Sequence, residues 1–142
     1  MSTLERAIAI AVQAHQGQTD KNGQPYILHP LRMMLRLKSE AEMIVAVLHD
    51  VVEDNPAWNF ERLRQEGFAE EIITAVDHLT RRENETYEEF AARAGSHPLA
   101  RQVKLADLED NMDLKRLRTL TEKDKERLAR YHRVWLELTA EN

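Results

Sequence analysis

The segment 41–52 is almost entirely apolar, and ionisable residues cluster at its carboxyl-terminal end. Nine of its twelve residues are Ala, Val, Ile, Leu or Met. A helix with this composition has almost no polar face, so it is stable only when neighbouring elements cover nearly all of its surface. The sequence therefore predicts a central helix that other elements surround.

Four ionisable residues, His49, Asp50, Glu53 and Asp54, stand at the end of this predicted helix. At about 100° per residue, His49 and Glu53 share one stripe, and Asp50 and Asp54 share the next. Carboxylates near a helix C-terminus face the negative end of the helix dipole, and a bound cation relieves that conflict. The segment thus indicates half of a metal site. A frayed, acidic helix end with a solvated histidine is the alternative that this segment leaves open.

The composition limits the functional classes. A net charge of −5 without a strongly basic block argues against a protein that binds duplex nucleic acid. The absence of cysteine excludes disulfides and thiolate zinc sites, so any metal ligands must be N and O atoms. No stretch reaches membrane-spanning length, and the start lacks a cleavable signal. We therefore expect one domain over residues 1–142, located in the cytoplasm without membrane association.

Helical spacing of apolar residues recurs along the chain and predicts an all-α fold. Ser39 is suited to cap the central helix, and Thr86 with Glu89 forms the pattern of a capping box. His97-Pro98 is typical of a helix start. A final helix from position 121 or 122 has apolar residues on one side and charges on the other, as expected for a packing helix.

Turn-forming residues occupy the segment 17–30, which we predict to be a loop. Pro30 suits the first position of a second helix, so His29 would stand at the N-cap with its ring aimed inward. A cap residue without a ligand role is the alternative for His29. The helix that follows carries Arg32 and Arg36 at i,i+4 on a stripe that we predict to be exposed.

A further carboxylate lies within the helix that His97-Pro98 begins. Asp107 and Asn111 are i,i+4 neighbours on the stripe that also carries the apolar Val103. A carboxylate on the apolar side of a helix is costly to bury unless it has a partner. The pattern therefore predicts a polar site around Asp107 at the edge of the core.

The three separated segments of sequence described above, around His29, His49 and Asp107, together supply two imidazoles and two carboxylates suited to a divalent metal of the Mn, Fe, Co or Zn group. On an all-helical chain they resemble the HD superfamily of metal-dependent phosphohydrolases. The likeness is greatest to the hydrolase domain of the RelA/SpoT alarmone enzymes and to small free-standing alarmone hydrolases. It extends from Ala7 to about Leu117 and rests on several motifs: His15-Gln16-Gly17-Gln18, Lys21, Gly23, Pro25-Tyr26-Ile27, His29-Pro30, His49-Asp50-Val51-Val52-Glu53-Asp54, Leu79-Thr80, Tyr87 and Lys104-Leu105-Ala106-Asp107 with Asn111.

The resemblance implies a single-domain HD-type helical bundle that holds a divalent metal, usually Mn²⁺. It assigns four side chains as metal ligands: His29, His49, Asp50 and Asp107. It assigns Glu53 and Asp54 to the catalytic water, with Glu53 orienting or deprotonating it and Asp54 in a supporting or proton-delivering role. The implied chemistry is metal-assisted, in-line displacement at a phosphoryl group.

The resemblance also implies contacts with a substrate. Lys21 and Asn111 fall where the alarmone hydrolases contact nucleotide. Lys104 is a further candidate for phosphate contact, and Tyr87 is a candidate for a ligand-facing position. A solvated lysine and a packed tyrosine are the commoner fates of such residues, and these alternatives stay open at this point.

Two departures separate the chain from the alarmone hydrolases. Where those enzymes carry an Arg that stacks on guanine, this chain has Asp20. Where they read Lys-Leu-Ala-Asp-Arg, this chain has Leu108, followed by Glu109-Asp110. The metal pattern is complete, whereas the base-recognition pattern is not.

The implied function is hydrolysis of a guanosine 3′-diphosphate 5′-(di)phosphate alarmone, a small phosphorylated nucleotide, with release of pyrophosphate or phosphate. An HD-type nucleotidase or cofactor phosphatase that acts on a phosphomonoester is one alternative. A non-catalytic nucleotide-binding regulator is another. The pair Glu53-Asp54 argues against the regulator, because a protein that only binds has no need of them. A homo-oligomer is compatible with the sequence.

Overall fold

A computed structural model describes residues 2–53 and 55–140, and within these ranges the chain forms helices and no strand. The all-α prediction is therefore confirmed. A short 3-10 helix at Leu114–Arg116 lies between the last two α-helices. The α-helices are α1 (Leu4–His15), α2 (Leu28–Leu35), α3 (Glu40–Leu48), α4 (Phe60–Gln65), α5 (Glu70–His78), α6 (Tyr87–Gly95), α7 (Pro98–Asn111) and α8 (Glu122–Ala140).

Side-chain caps begin several of these helices where the sequence predicts them. Ser39 accepts a hydrogen bond from the backbone N–H of Glu42, and the Glu42 side chain accepts from the Ser39 N–H, which completes a capping box. Thr86 and Glu89 form the same reciprocal pair at the start of α6. Each such cap typically contributes about 1 kcal/mol to helix stability. The predicted helix starts at these positions are confirmed.

The α3 helix lies at the centre of the structure and packs against α1, α2, α5 and α7. Its residues Val45, Val47 and Leu48 are completely buried, as the apolar composition of the segment predicts. Burying one such side chain contributes about 1.5 to 3 kcal/mol. The end of α3 is therefore a rigid point within the protein.

A second, smaller apolar cluster joins α8 to α6 and α7. Val134 and Leu138 of α8 pack in this cluster with Leu108 of α7, which is completely buried. The packing role predicted for the final helix is confirmed. Leu108 also accounts for one departure from the alarmone hydrolases, because this position contacts α8 in the apolar interior and an Arg here would leave a buried charge.

The prediction that α3 continues to Val52 is wrong, because the helix ends at Leu48. His49 is the C-cap, and its ring Nδ1 donates a hydrogen bond of 2.7 Å to the carbonyl oxygen of Ala46. In a continuing α-helix this carbonyl would accept the N–H of Asp50. The imidazole takes that acceptor, so Asp50 and Glu53 lie in turns beyond the helix and not on helical stripes.

Two predictions about α2 are also wrong. The helix begins at Leu28, so His29 lies inside the first turn and is not the N-cap. Pro30 is nevertheless tolerated, since the first four N–H groups of a helix have no partner within it. The stripe predicted to be exposed is exposed at Arg36, but Arg32 is only partly exposed, because its guanidinium reaches the buried Asp110 on α7.

The loop between α1 and α2 is closed by an antiparallel bridge between Thr19 and Pro25. The N–H of Asp20 donates to the carbonyl of Gln24 at 2.8 Å. Gly23 has a φ of +79°, a left-handed conformation that favours glycine in a tight turn. This loop has a defined shape as a result.

Among the described residues, we find no helix that combines the length and the apolar character needed to cross a bilayer.

Candidate metal centre

Four side chains from three parts of the fold converge beside the end of α3. Atoms of His29, His49 and Asp50 that could bind a metal all lie within 4.8 Å of one another. The Oδ1 atom of Asp107 is 2.9 Å from the Nε2 of His29 and 4.0 Å from the Nε2 of His49. The four residues predicted as metal ligands are therefore neighbours in space, although they come separately from α2, from the C-cap and turn that follow α3, and from α7.

The hydrogen bonds of His49 determine which of its ring nitrogens faces the site. Its Nδ1 must carry the proton, because its partner is the carbonyl oxygen of Ala46, which only accepts. The Nε2 atom then faces the carboxylates of the site and lies 3.2 Å from Oδ2 of Asp50. Asp50 also accepts a hydrogen bond from the hydroxyl of Tyr26.

His29 is oriented from behind by Asp110, a carboxylate that is 0% exposed. The Nδ1 of His29 is 2.7 Å from Oδ2 of Asp110, which leaves the Nε2 of His29 on the side of Asp107. Asp110 in turn accepts two hydrogen bonds from the guanidinium of Arg32, and its backbone carbonyl accepts one from Arg116. Carboxylate partners of this kind fix the orientation of metal-binding histidines in proteins.

The two oxygens of Asp107 have different partners. Oδ1 faces both imidazoles and also accepts a hydrogen bond from the side-chain amide of Asn111 at 3.2 Å. Oδ2 accepts a hydrogen bond from the ammonium of Lys104 at 3.1 Å. Lys104 is only 4% exposed, and its ammonium lies over the rings of Tyr87 and Phe90. Lys104 therefore holds one oxygen of Asp107 away from the imidazoles.

The site stabilises positive charge. Burial lowers the pKa of His29, but hydrogen bonds to Asp107 and Asp110 outweigh burial and raise that pKa to about 9. Burial raises the pKa of Asp50, but His49 outweighs it and lowers the pKa to about 2. Charged neighbours outweigh burial at two further residues as well: they raise the pKa of His49 and lower the pKa of Asp107. A cluster of carboxylates that stabilises protonated imidazoles this strongly also favours the binding of a divalent cation.

The donor set fits a divalent metal ion. Two imidazole nitrogens and two carboxylates form a mixed N and O environment, which suits first-row transition metals better than Ca²⁺ or a thiolate-bound zinc. The Nδ1 of each histidine has a hydrogen-bond acceptor behind it, so each Nε2 is left on the inner side. The residues present are therefore those that a bound divalent ion would need.

The four residues border a cavity of about 570 Å³, a size that suits a small-molecule ligand. Lys21, Asn111 and Tyr87, three of the predicted substrate contacts, also line it, and Lys104 lies in its wall. Glu53 borders the cavity from the turns after α3. Asp54 lies outside the described residues.

The sequence family described as HD domain matches residues 7–138 of the chain. This match covers nearly the whole chain and includes all four converging side chains. The chain belongs to the HD domain family.

Several relatives of this HD domain carry names from alarmone metabolism. A guanosine-3′,5′-bis(diphosphate) 3′-pyrophosphohydrolase of Aquifex aeolicus is 30% identical over 121 residues, which cover 77% of this chain and 17% of that protein. The bifunctional (p)ppGpp synthase/hydrolase SpoT of Escherichia coli is 38% identical over 84 residues, 54% of this chain and 12% of SpoT. A GTP pyrophosphokinase of Streptomyces coelicolor is 31% identical over 140 residues, 89% of this chain and 16% of that protein. The chain thus spans less than a fifth of these relatives, and its predicted likeness to the RelA/SpoT enzymes is confirmed.

The structure adds cavity residues that the sequence interpretation did not assign. Asp110 and Arg32 support His29 from behind, and the hydroxyl of Tyr26 contacts Asp50. Arg127 and Tyr131 of α8 also line the cavity of this HD domain. One signal in the sequence could have identified Asp110: it lies three residues after Asp107, and so on nearly the same face of α7.

Proposed function

We propose that this HD domain is a metal-dependent phosphohydrolase that removes the 3′-pyrophosphate from a guanosine 3′,5′-bis(diphosphate) alarmone. The observation that carries the proposal is the convergence of two imidazoles and two carboxylates at one wall of a nucleotide-sized cavity. The names of the relatives from Aquifex aeolicus and Escherichia coli support the substrate. The extent of the domain over 1–142, its cytoplasmic location and a homo-oligomeric state stay predictions.

In this proposal His29, His49, Asp50 and Asp107 hold one divalent ion, with Mn²⁺ as the proposed metal. A bound divalent ion at such a site supplies Lewis-acid polarisation of the phosphoryl oxygen and makes a water molecule more acidic. Ala46 and Asp110 keep the two imidazoles in the orientation that presents each Nε2. These ligands therefore need little rearrangement to bind the ion.

Glu53 is proposed to accept the proton of the attacking water, since it borders the cavity three residues after Asp50. Asp54 is proposed as its supporting residue. Lys21, Asn111 and Tyr87 are proposed to contact the substrate, because they line the cavity. Lys104 is proposed to influence substrate binding indirectly, through Asp107, because its ammonium is hydrogen-bonded to that carboxylate.

A second candidate function is a nucleotidase or phosphatase that acts on a simple phosphomonoester. One observation favours it: Asp20 borders the cavity where alarmone hydrolases carry the guanine-stacking Arg. A carboxylate neither stacks on a base as a guanidinium does nor attracts phosphate. The metal-binding residues serve either reaction equally.

The test is to incubate the purified protein with Mn²⁺ and a panel of phosphorylated nucleotides, and to measure released phosphate and pyrophosphate separately. Pyrophosphate from guanosine 3′,5′-bis(diphosphate) is the expected result. Phosphate released only from monophosphates would support the second candidate. Nucleotide binding without release of either product would identify a regulator and overturn both proposals.

A further inference from the structure

A carboxylate on α8 holds a cation of the α1–α2 loop that lines the cavity. The ammonium of Lys21 is 3.0 Å from Oδ1 of Asp124. Asp124 is only 11% exposed, and its Oδ2 accepts hydrogen bonds from the N–H and the hydroxyl of Thr121. The carboxylate is therefore fixed by the cap of α8, so Lys21 has a rigid anchor although its own side chain is 54% exposed.

The same carboxylate lies near a second cation. The guanidinium of Arg127, one turn further along α8, is 3.9 Å from Oδ1 of Asp124. Lys21 and Arg127 both line the cavity that contains the candidate metal centre. Two cations from different elements are thus brought together at one part of the cavity wall by one carboxylate.

We propose that Lys21 and Arg127 form a subsite for the 5′-phosphate groups of the substrate, and that Asp124 is the residue that positions them. The inference rests on the proposed function for the identity of the substrate and names the residues that bind its second anionic group. Two cations around one carboxylate leave a net positive charge, which attracts phosphate.

Asp124 supports the subsite and does not block it. An ammonium has three N–H donors, so Lys21 keeps two for a ligand while it donates one to Asp124. The Arg127 contact of 3.9 Å is too long for a hydrogen bond, so its five donors are not consumed by Asp124. If Asp124 instead sequestered Lys21 from the substrate, its removal would strengthen binding, and this is the outcome that separates the two roles.

The chain contains a closely matched control. Lys125 lies on α8, and its side chain is 54% exposed, the same value as for Lys21. It pairs with Glu122 and does not line the cavity. The variant Lys125→Gln therefore removes the same charge at the same exposure, next to Asp124 in the chain, without touching the proposed subsite.

The first experiment measures kcat and KM of the Mn²⁺-loaded protein for guanosine 3′,5′-bis(diphosphate). Lys21→Gln and Arg127→Gln should each raise KM about tenfold with little change in kcat, as expected when one charge-assisted contact is lost. Asp124→Asn keeps an oxygen acceptor for the α8 cap and should raise KM about threefold, about half of the effect of losing a cation outright on a logarithmic scale. A fall in KM for Asp124→Asn would overturn the positioning role.

The second experiment does not depend on catalysis. Guanosine 5′-diphosphate and guanosine are titrated calorimetrically into the protein in the presence of EDTA, so that no cation at the metal centre can bind the diphosphate. Lys21→Gln and Arg127→Gln should each lower the affinity for guanosine 5′-diphosphate about tenfold and leave the affinity for guanosine unchanged. Lys125→Gln should change neither affinity. Equal affinities in all variants, or no binding of the diphosphate to the wild type, would overturn the subsite.

The two experiments separate failure of the subsite from failure of the proposed function. If the wild type releases pyrophosphate but the variants at Lys21, Arg127 and Asp124 behave as Lys125→Gln does, the function stands and the subsite is wrong. If the wild type releases no product but binds guanosine 5′-diphosphate in a manner that depends on Lys21, the function is wrong and the subsite stands.

Discussion

His29 and Asp110 are joined by a hydrogen bond of 2.7 Å between Nδ1 and Oδ2, across 81 positions of sequence. Asp110 is completely buried, so it would be costly without cationic partners. Arg32 is such a partner and donates two hydrogen bonds to Asp110, whose own burial holds the carboxylate in place. The orientation of one candidate metal ligand therefore depends on an ion pair that does not itself reach the metal position.

We predict that Asp110→Asn weakens metal binding about 10- to 100-fold, the range found when the acceptor behind a metal-binding histidine is changed. The amide is nearly isosteric, but it no longer carries the negative charge that stabilises the Nδ1–H of His29. Isothermal titration with Mn²⁺ measures the affinity. Glu109→Gln, a neighbour with the same loss of charge and a side chain that can still accept from Trp135, is the control. An Mn²⁺ affinity that Asp110→Asn leaves at the wild-type value would contradict the prediction.

A second prediction separates metal ligands from the residue that serves the water. His49→Ala or Asp50→Ala should remove both the bound metal and the activity, because each deletes a donor atom of the converging set. Glu53→Gln should remove activity and leave the metal bound. Elemental analysis of the purified variants, together with turnover, tests both statements. Near-normal turnover by Glu53→Gln would show that another group accepts the proton.

A third prediction concerns stability and pH. Glu85 and Arg93 form two hydrogen bonds of 2.7 and 2.8 Å, and Arg93 also donates to the carbonyls of Asp77, in the last turn of α5, and of Thr80, just beyond it. The hydrogen bonds from Arg93 lower the pKa of Glu85 to about 2. This pKa is lower in the folded than in the unfolded chain. The contribution of the ionised Glu85 to the free energy of unfolding is therefore complete above about pH 5 and is lost as the pH falls toward 2.

We therefore expect Glu85→Gln to lower the free energy of unfolding by about 1 to 3 kcal/mol at pH 7, since a charged hydrogen-bond partner is lost. The gap in melting temperature between wild type and variant should narrow as the pH is lowered from 7 to 3.5. Glu83→Gln, an exposed position in the same loop, should show little difference at either pH. A gap that stays constant down to pH 3.5 would show that the charge of Glu85 is not responsible.

Local patterns predicted much of the fold. The caps at Ser39 and Thr86 and the start of α7 after His97 depend on contacts within four residues, so the sequence contains all the information they need. The buried character of α3 also follows from its composition alone. These features were predicted because no distant residue decides them.

Features that depend on a side chain competing for a backbone group, or on tertiary contacts, were not predicted. The end of α3 depends on which donor takes the carbonyl of Ala46, and a buried imidazole competes there with the backbone. Arg32 was predicted to be exposed because its own helix shows no reason to bury it, and its partner Asp110 is 78 positions away. The family resemblance named four residues that converge, and its motifs also contain Tyr26 and Lys104, which contact two of them. Asp110 and Arg32, which orient His29, lie outside those motifs.

Asp20 has a structural role that changes how its effect on substrate must be tested. Its Oδ1 accepts hydrogen bonds from the backbone N–H groups of Asn22 at 2.8 Å and Gln24 at 3.0 Å. An Arg at this position has no acceptor for them, so Asp20→Arg should loosen the turn as well as add a guanidinium. Asp20→Asn keeps the acceptor and removes only the charge, and it is the cleaner variant.

We predict that Asp20→Asn lowers KM for guanosine 3′,5′-bis(diphosphate) about two- to fivefold, because a like charge at this partly exposed position costs a fraction of a kcal/mol to about 1 kcal/mol. Asp20→Ala removes the charge and the acceptor together, so the difference between the two variants measures what the turn contributes. Asp20→Arg should lower the melting temperature and raise the ratio of kcat/KM for the bis(diphosphate) to that for a nucleoside monophosphate. If Asp20→Asn leaves KM unchanged and Asp20→Arg leaves this ratio unchanged, Asp20 does not face the substrate, and recognition of the alarmone must depend on cavity residues outside this turn, such as Tyr87 and Asn111.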